Sequence, residues 1–162
     1  MADSSFDVVS QYDRQELVNA IDQSLREVRT RFDLKDTGSE ISLEKDSIAM
    51  ASASEFTLQQ MKDLFLTKVV RRELSPKIFD WGKVEEASRG TVRQQVKLRA
   101  GIDQDLARKI VKLIRDNQPK LKATIQGDAV RVSGASKDAL QAAIKLLREQ
   151  DYPVPLQFVN YR

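Results

Sequence analysis

The chain of 162 residues contains no cysteine and no histidine. Without thiols there is no disulfide framework, no thiolate nucleophile and no zinc–thiolate site. Without imidazole the commonest general base and the commonest metal ligand are both missing. Glycine is scarce, with six residues scattered along the chain, so neither a Walker-type phosphate loop nor a dinucleotide fingerprint can be assembled. No apolar window approaches the roughly 20 residues of a membrane span. Residues 1–10 lack the apolar core of a secretory leader. The expectation is a cytoplasmic protein of a reducing compartment, with no cofactor, no membrane contact and no catalysis.

What is present is a duplication. Asp46-Ser47-Ile48-Ala49-Met50 returns as Asp128-Ala129-Val130-Arg131-Val132, and each copy runs through Ala-Ser into a helical pattern at a constant offset. Residues 1–81 hold 11 Lys+Arg and 15 Asp+Glu, a charge of −4; residues 82–162 hold 16 and 9, a charge of +7. Such asymmetry bears on partners rather than on fold, and it points the second half towards an anion. A solvated surface without a ligand accounts for it equally well.

The spacing predicts β-α-β-β-α-β in each half. Phe6 to Ser10 is β-prone, and Asp13, with Glu16 as a capping-box partner, starts a helix carrying Leu17, Ile21, Leu25 and Val28 that fades near Phe32. A hairpin turns at Lys45-Asp46, and Ser54 caps a helix that Pro76 stops. A strand region covers Ile78 to Glu85, and Glu86 to Gly90 reads as the interdomain linker. Val92, Val96 and Leu98 then alternate with basic residues. Asp103 caps the next helix, a hairpin turns at Gly127-Asp128, Ser136 caps the last helix, and Leu156 to Tyr161 form a final strand. The fold class is α+β: two ferredoxin-like sandwiches, each burying one sheet face under its helices. The boundaries are 11–100 for the first domain and 101–162 for the second, with 1–10 joining the second if first strands are exchanged.

Strand alternation exposes Arg93, Lys97, Arg99, Lys122, Thr124, Gln126, Arg131 and Ser133 on one side, with Gln157 and Tyr161 added by the same parity. Singly, each is an ordinary solvated residue. Together they form a basic face that no acidic residue interrupts, suited to phosphates and a stacked base. The aromatic signature of RNA recognition motifs is absent, which disfavours sequence-specific RNA reading by that route. Arg71-Arg72 reads as a helix end, Trp81 as a core or interdomain plug, and the Asp103–Asp105 pair as helix capping rather than metal binding.

Ser5-Phe6-Asp7-Val8-Val9-Ser10, Arg31-Phe32-Asp33, Ile125-Gln126-Gly127-Asp128, Val130-Arg131-Val132-Ser133-Gly134, Asp138, Leu140, Gln141 and the terminal Pro155-Leu156-Gln157-Phe158-Val159-Asn160-Tyr161-Arg162 resemble the YajQ family of bacterial proteins over essentially the whole chain. Phe79 to Glu85 does not match that pattern. The resemblance implies two ferredoxin-like domains with exchanged first strands, which would move Arg93, Lys97 and Arg99 away from Arg131. It also implies nucleotide binding, in some members as a cyclic di-GMP effector of transcription, in others with nucleic acid.

The matched motifs and their chemistry together nominate Arg131, Lys97 and Lys122 for phosphates. Gln126, Asp128 and Asn160 would read base edges, and Tyr161 would stack in preference to Phe158, which has core parity. Two other readings stand beside this one. The first is a general RNA- or nucleic-acid-binding protein; the second is an adaptor for a protein partner such as a transcription regulator, without a nucleotide.

Overall fold

Each helix begins where a short polar side chain can take up a free backbone N–H. Asp13, Ser54, Asp103 and Ser136 accept from the N–H three residues on, at 2.8–3.2 Å. They start α1 (Arg14–Thr30), α2 (Glu55–Arg71), α3 (Gln104–Asn117) and α4 (Lys137–Arg148). The eight strands are β1 (Ser4–Val9), β2 (Glu40–Leu43), β3 (Ser47–Ser52), β4 (Phe79–Glu86), β5 (Val92–Leu98), β6 (Lys122–Gln126), β7 (Ala129–Gly134) and β8 (Gln157–Val159). The structure is a computed structural model and describes residues 3–162.

The strands form two antiparallel sheets, ordered β6-β7-β1-β8 and β2-β3-β5-β4. The chain divides accordingly. One unit runs to Gln11 and resumes over Ala100–Arg162; the other is Tyr12–Arg99. We call them the split unit and the continuous unit. In each sheet the strand that precedes the first helix of the unit has been replaced by the corresponding strand of the other copy, so first strands are exchanged. The duplication offset is visible in the elements themselves: β3 and β7, the caps Ser54 and Ser136, and the starts of α2 and α4 are all 82 residues apart.

Alternation places each core. Phe6, Val8, Val130 and Val132 meet Ile110, Ile114, Leu140 and Ile144 in the split unit. Ile48, Met50, Val92 and Val96 meet Leu17, Leu58, Met61 and Phe65 in the continuous unit. Trp81 packs on the latter core, its ring 5.6 Å from Phe79 and covered by Lys62 Nζ at 4.0 Å.

Four local expectations are corrected. Glu86 to Gly90 is not a linker: β4 and β5 pair with each other, and Ala87 N–H donates to Thr91 O at 2.7 Å across a hairpin loop. Pro76 does not end α2. The helix stops at Arg71, with Glu73 in the left-handed region at φ 62° and Leu74 N–H donating back to Val69 O. The reciprocal capping box belongs to Ser54 and Thr57, because the Glu16 carboxylate is engaged by Arg72 and Asn19. The last strand is shorter than expected, since a bulge interrupts it after Val159.

Candidate functional site

The split unit carries helices on one side of its sheet and leaves the other open. Backbone register puts Thr124, Arg131, Asp7 and Val159 in one row across four strands, and Lys122, Ser133 and Ser5 in a neighbouring row. At the centre Arg131 Nε donates to Asp7 Oδ1 at 2.9 Å, and Nη2 donates to Oδ2 at 3.4 Å. Asn160 Nδ2 donates to the same Oδ2 at 2.9 Å. The Asp7 side chain is 12% exposed and that of Arg131 is 38% exposed.

Both groups are held in their charged forms. The Arg131 guanidinium and then the Asn160 amide bring the Asp7 carboxyl below its usual value, against an upward push from burial, and the Arg162 charge adds a little. Asp7 raises Arg131 in turn.

Asn160 reaches Asp7 because the terminal strand bulges. Asp7 pairs with Val159, yet Ser5 exchanges both backbone hydrogen bonds with Arg162, at 2.9 and 3.1 Å. Two residues, Asn160 and Tyr161, therefore oppose the single Phe6. Asn160 takes the left-handed conformation at φ 56°, which asparagine tolerates better than most residues. The bulge breaks simple parity beyond Val159. Tyr161 is nonetheless open to solvent, at 47%. Phe158 stays on the core side, edge-on to Phe6 at 6.0 Å with Arg148 over its ring.

The remaining nominated residues separate. Lys122 and Gln126 are exposed on β6, on the same face as Arg131. Asp128 lies in the β6–β7 turn after Gly127, at φ 60°. A Cβ on Gly101 would come within 2.7 Å of the Asp128 carboxylate, and Ile102 N–H donates to Asp128 O at 2.9 Å. Asp128 thus supports a loop at the end of the sheet rather than the row of Arg131. Lys97 is on the continuous unit's sheet, in register with Ser47 and Asp80. Arg93 and Arg99 are on the same unit, 3.8 Å from Glu85 and 3.6 Å from Asp80.

The expected uninterrupted basic face therefore does not form. Strand exchange sends Arg93, Lys97 and Arg99 to one sheet and inserts Asp7 beside Arg131 in the other. Charge evens out as well. The split unit holds 11 Lys+Arg and 9 Asp+Glu (+2), the continuous unit 16 and 15 (+1), together the chain's +3.

Asp7 was missed because nothing local distinguishes it; only knowledge of its partner strand reveals its role. The resemblance to a strand-exchanged family was the one signal that could have found it.

Shallow grooves lie on the helical side of the continuous unit. One of about 470 Å³ is lined by Glu16, Gln23, Lys68, Arg71, Arg72 and Glu73; one of about 380 Å³ includes Glu27, Arg31, Asp63, Lys68 and Arg71. Cations and carboxylates balance there, and most are paired: Arg72 with Glu16 at 3.0 Å, Lys68 with Glu27 at 3.1 Å, Arg31 with Asp33 at 2.7 Å. Arg72 joins α2 to α1, a structural task consistent with its helix-end reading. Among the described residues no helix is long and apolar enough to cross a membrane, and no cluster of three or more acidic side chains could hold a metal.

Comparison with known proteins matches residues 4–162 to the family model described as "Nucleotide-binding protein YajQ-like". A relative from Synechococcus sp. (strain JA-3-3Ab) is 58% identical over 158 residues, covering 98% of this chain and 97% of its own. One from Chloroflexus aggregans is 56% identical over 162 residues, with 99% and 98% covered. One from Trichodesmium erythraeum is 55% identical over 159 residues, with 98% of each covered. All three carry the name "Nucleotide-binding protein". With a family model spanning nearly the whole sequence and relatives above half identity, this chain belongs to the YajQ-like family.

Proposed function

We propose that this chain binds a nucleotide without turning it over, on the open sheet face of the split unit. We further propose that the ligand is a cyclic dinucleotide of the cyclic di-GMP kind, whose capture in the bacterial cytoplasm bears on gene expression through a regulator. The relatives' shared name supports the ligand class. The observation that carries the placement is Arg131, fixed at the sheet centre yet 38% exposed, with donors left over after Asp7 is satisfied. Lys122 and Gln126 offer a cation and an amide on the same face of the neighbouring strand, Asn160 shares its partner Asp7, and the last strand adds the exposed ring of Tyr161.

The reading as a general nucleic-acid binder loses its main support with the charge recount. A unit at +2 lacks the surplus that long phosphate backbones exploit. Calorimetric titration with cyclic di-GMP, GTP and a short single-stranded RNA, at low and high salt, tests the proposal. Selective, salt-tolerant binding of cyclic di-GMP is expected. Binding of RNA alone, lost in salt, would reinstate the nucleic-acid reading; silence throughout would leave the adaptor.

A further inference from the structure

We infer that Arg131, buttressed by Asp7, takes the acceptor edge of a guanine base rather than a phosphate, and that Asp7 is a positioning residue for this recognition. The inference rests on the nucleotide-binding reading above and assigns the role of its central side chain.

The Asp7 carboxylate lies 2.9 Å from Arg131 Nε and receives a second, longer bond from Nη2. A guanidinium already matched in this way gains little from another anion, because an arriving phosphate also meets the Asp7 carboxylate at close range. Phosphate contacts are better served by Lys122. It is exposed on the adjacent strand β6, and no ion pair engages it among the described residues.

Guanidinium carries five N–H donors in a rigid fork. Two are given to Asp7, leaving both on Nη1 and one on Nη2. The free Nη1–Nη2 edge is a bidentate donor with its orientation set from behind. Guanine offers two adjacent acceptors, O6 and N7; adenine offers N7 beside an N6 donor and cannot receive both bonds. Asn160, held at φ 56° by the bulge, donates to Asp7 Oδ2 and fixes the carboxylate from its other side. The arrangement costs little reorganisation on binding, because the fork is aimed before the ligand arrives.

The test is a calorimetric series on the unmodified protein with cyclic di-GMP, its analogue carrying two 7-deazaguanine bases, and cyclic di-AMP. All three have the same phosphodiester charge. The inference predicts that cyclic di-GMP binds at least about tenfold more tightly than either of the others, as one lost or opposed bidentate contact implies. Equal affinity for cyclic di-GMP and the deaza analogue would overturn the guanine assignment and leave nucleotide binding standing. No binding of any of the three would overturn the underlying reading instead. Asp7→Asn then separates positioning from structure: provided its circular dichroism matches the parent, the preference for guanine over 7-deazaguanine should shrink while affinity for cyclic di-AMP holds or rises. An unchanged preference in folded Asp7→Asn would remove Asp7 from the account.

Discussion

The two sheets are built from one repeated pattern, and matching positions carry opposite chemistry. Where the split unit places Thr124, Arg131 and Asp7 in a row, the continuous unit places Ser42, Ala49 and Gln95, with no charge among them. Where Phe6 fills one core, Gln94 occupies the same position in the other. It is 4% exposed and donates to Gly82 O at 2.7 Å. The continuous unit keeps its charges at the β4 side instead, where Arg93 and Glu85 are both largely solvated. A duplicated scaffold thus separates roles: one open face is organised around a fixed central ion pair, while the other is small and uncharged at its centre and carries solvated charges, Arg93 with Glu85 and Lys97 beside Asp80, along its β4 side. The exchanged strands produce this difference, since β1 brings Asp7 to one sheet and β5 brings Gln95 to the other.

The largest test of that comparison is in the cores. Phe6→Ala should destabilise the protein by about 3–5 kcal/mol, seen as a lower denaturant midpoint by circular dichroism. Gln94→Ala, at the matching position, removes one neutral hydrogen bond and should cost about 1 kcal/mol. Equal losses would mean that these matching positions do not contribute differently to their two cores.

Next in size is ligand binding. Arg131→Ala should weaken cyclic di-GMP binding by about tenfold or more, whereas Arg93→Ala should leave it unchanged. Arg93→Ala should also shift stability by no more than about 0.5 kcal/mol, as surface changes usually do. A variant pair with the reverse pattern would move the site to the other sheet.

The smallest effect is on pH dependence, and it contrasts two carboxylates lowered by arginine: Asp7, largely buried on a sheet, and Asp33, on an exposed loop beside Arg31. A carboxyl whose folded value is depressed stabilises the fold above its unfolded value, about 3.9. That stabilisation is lost as pH falls below this value and through the folded one. Acid unfolding of the parent should therefore steepen below about pH 4. Asp7→Asn should flatten that limb and Asp33→Asn should barely alter it, because exposed pairs are screened.

The local parts of this architecture were legible. Four N-caps, the β2–β3 and β6–β7 hairpins and the amphipathic helices follow from neighbouring residues, and the 82-residue offset between β3 and β7 predicted a doubled fold. What could not be read locally was pairing across the chain. Phe6-Asp7-Val8 alternates identically whichever sheet receives it, so Asp7 gave no sign of meeting Arg131, 124 residues away. The same non-locality turned a −4/+7 division by halves into +1 and +2 by structural units. Tyr161 escaped simple parity for another reason. The extra residue at Asn160 is a bulge whose need is visible only when Ser5 and Arg162 are seen to pair.

The most direct measurement of the central claim is residue-resolved. Amide chemical shifts of the isotopically labelled protein would be followed during titration with cyclic di-GMP. The account predicts saturable shifts centred on β1, β6, β7 and β8, including Asp7, Arg131 and Asn160, with β2, β3 and β5 silent. Shifts concentrated on the continuous unit, around Arg71 or Arg93, would contradict it.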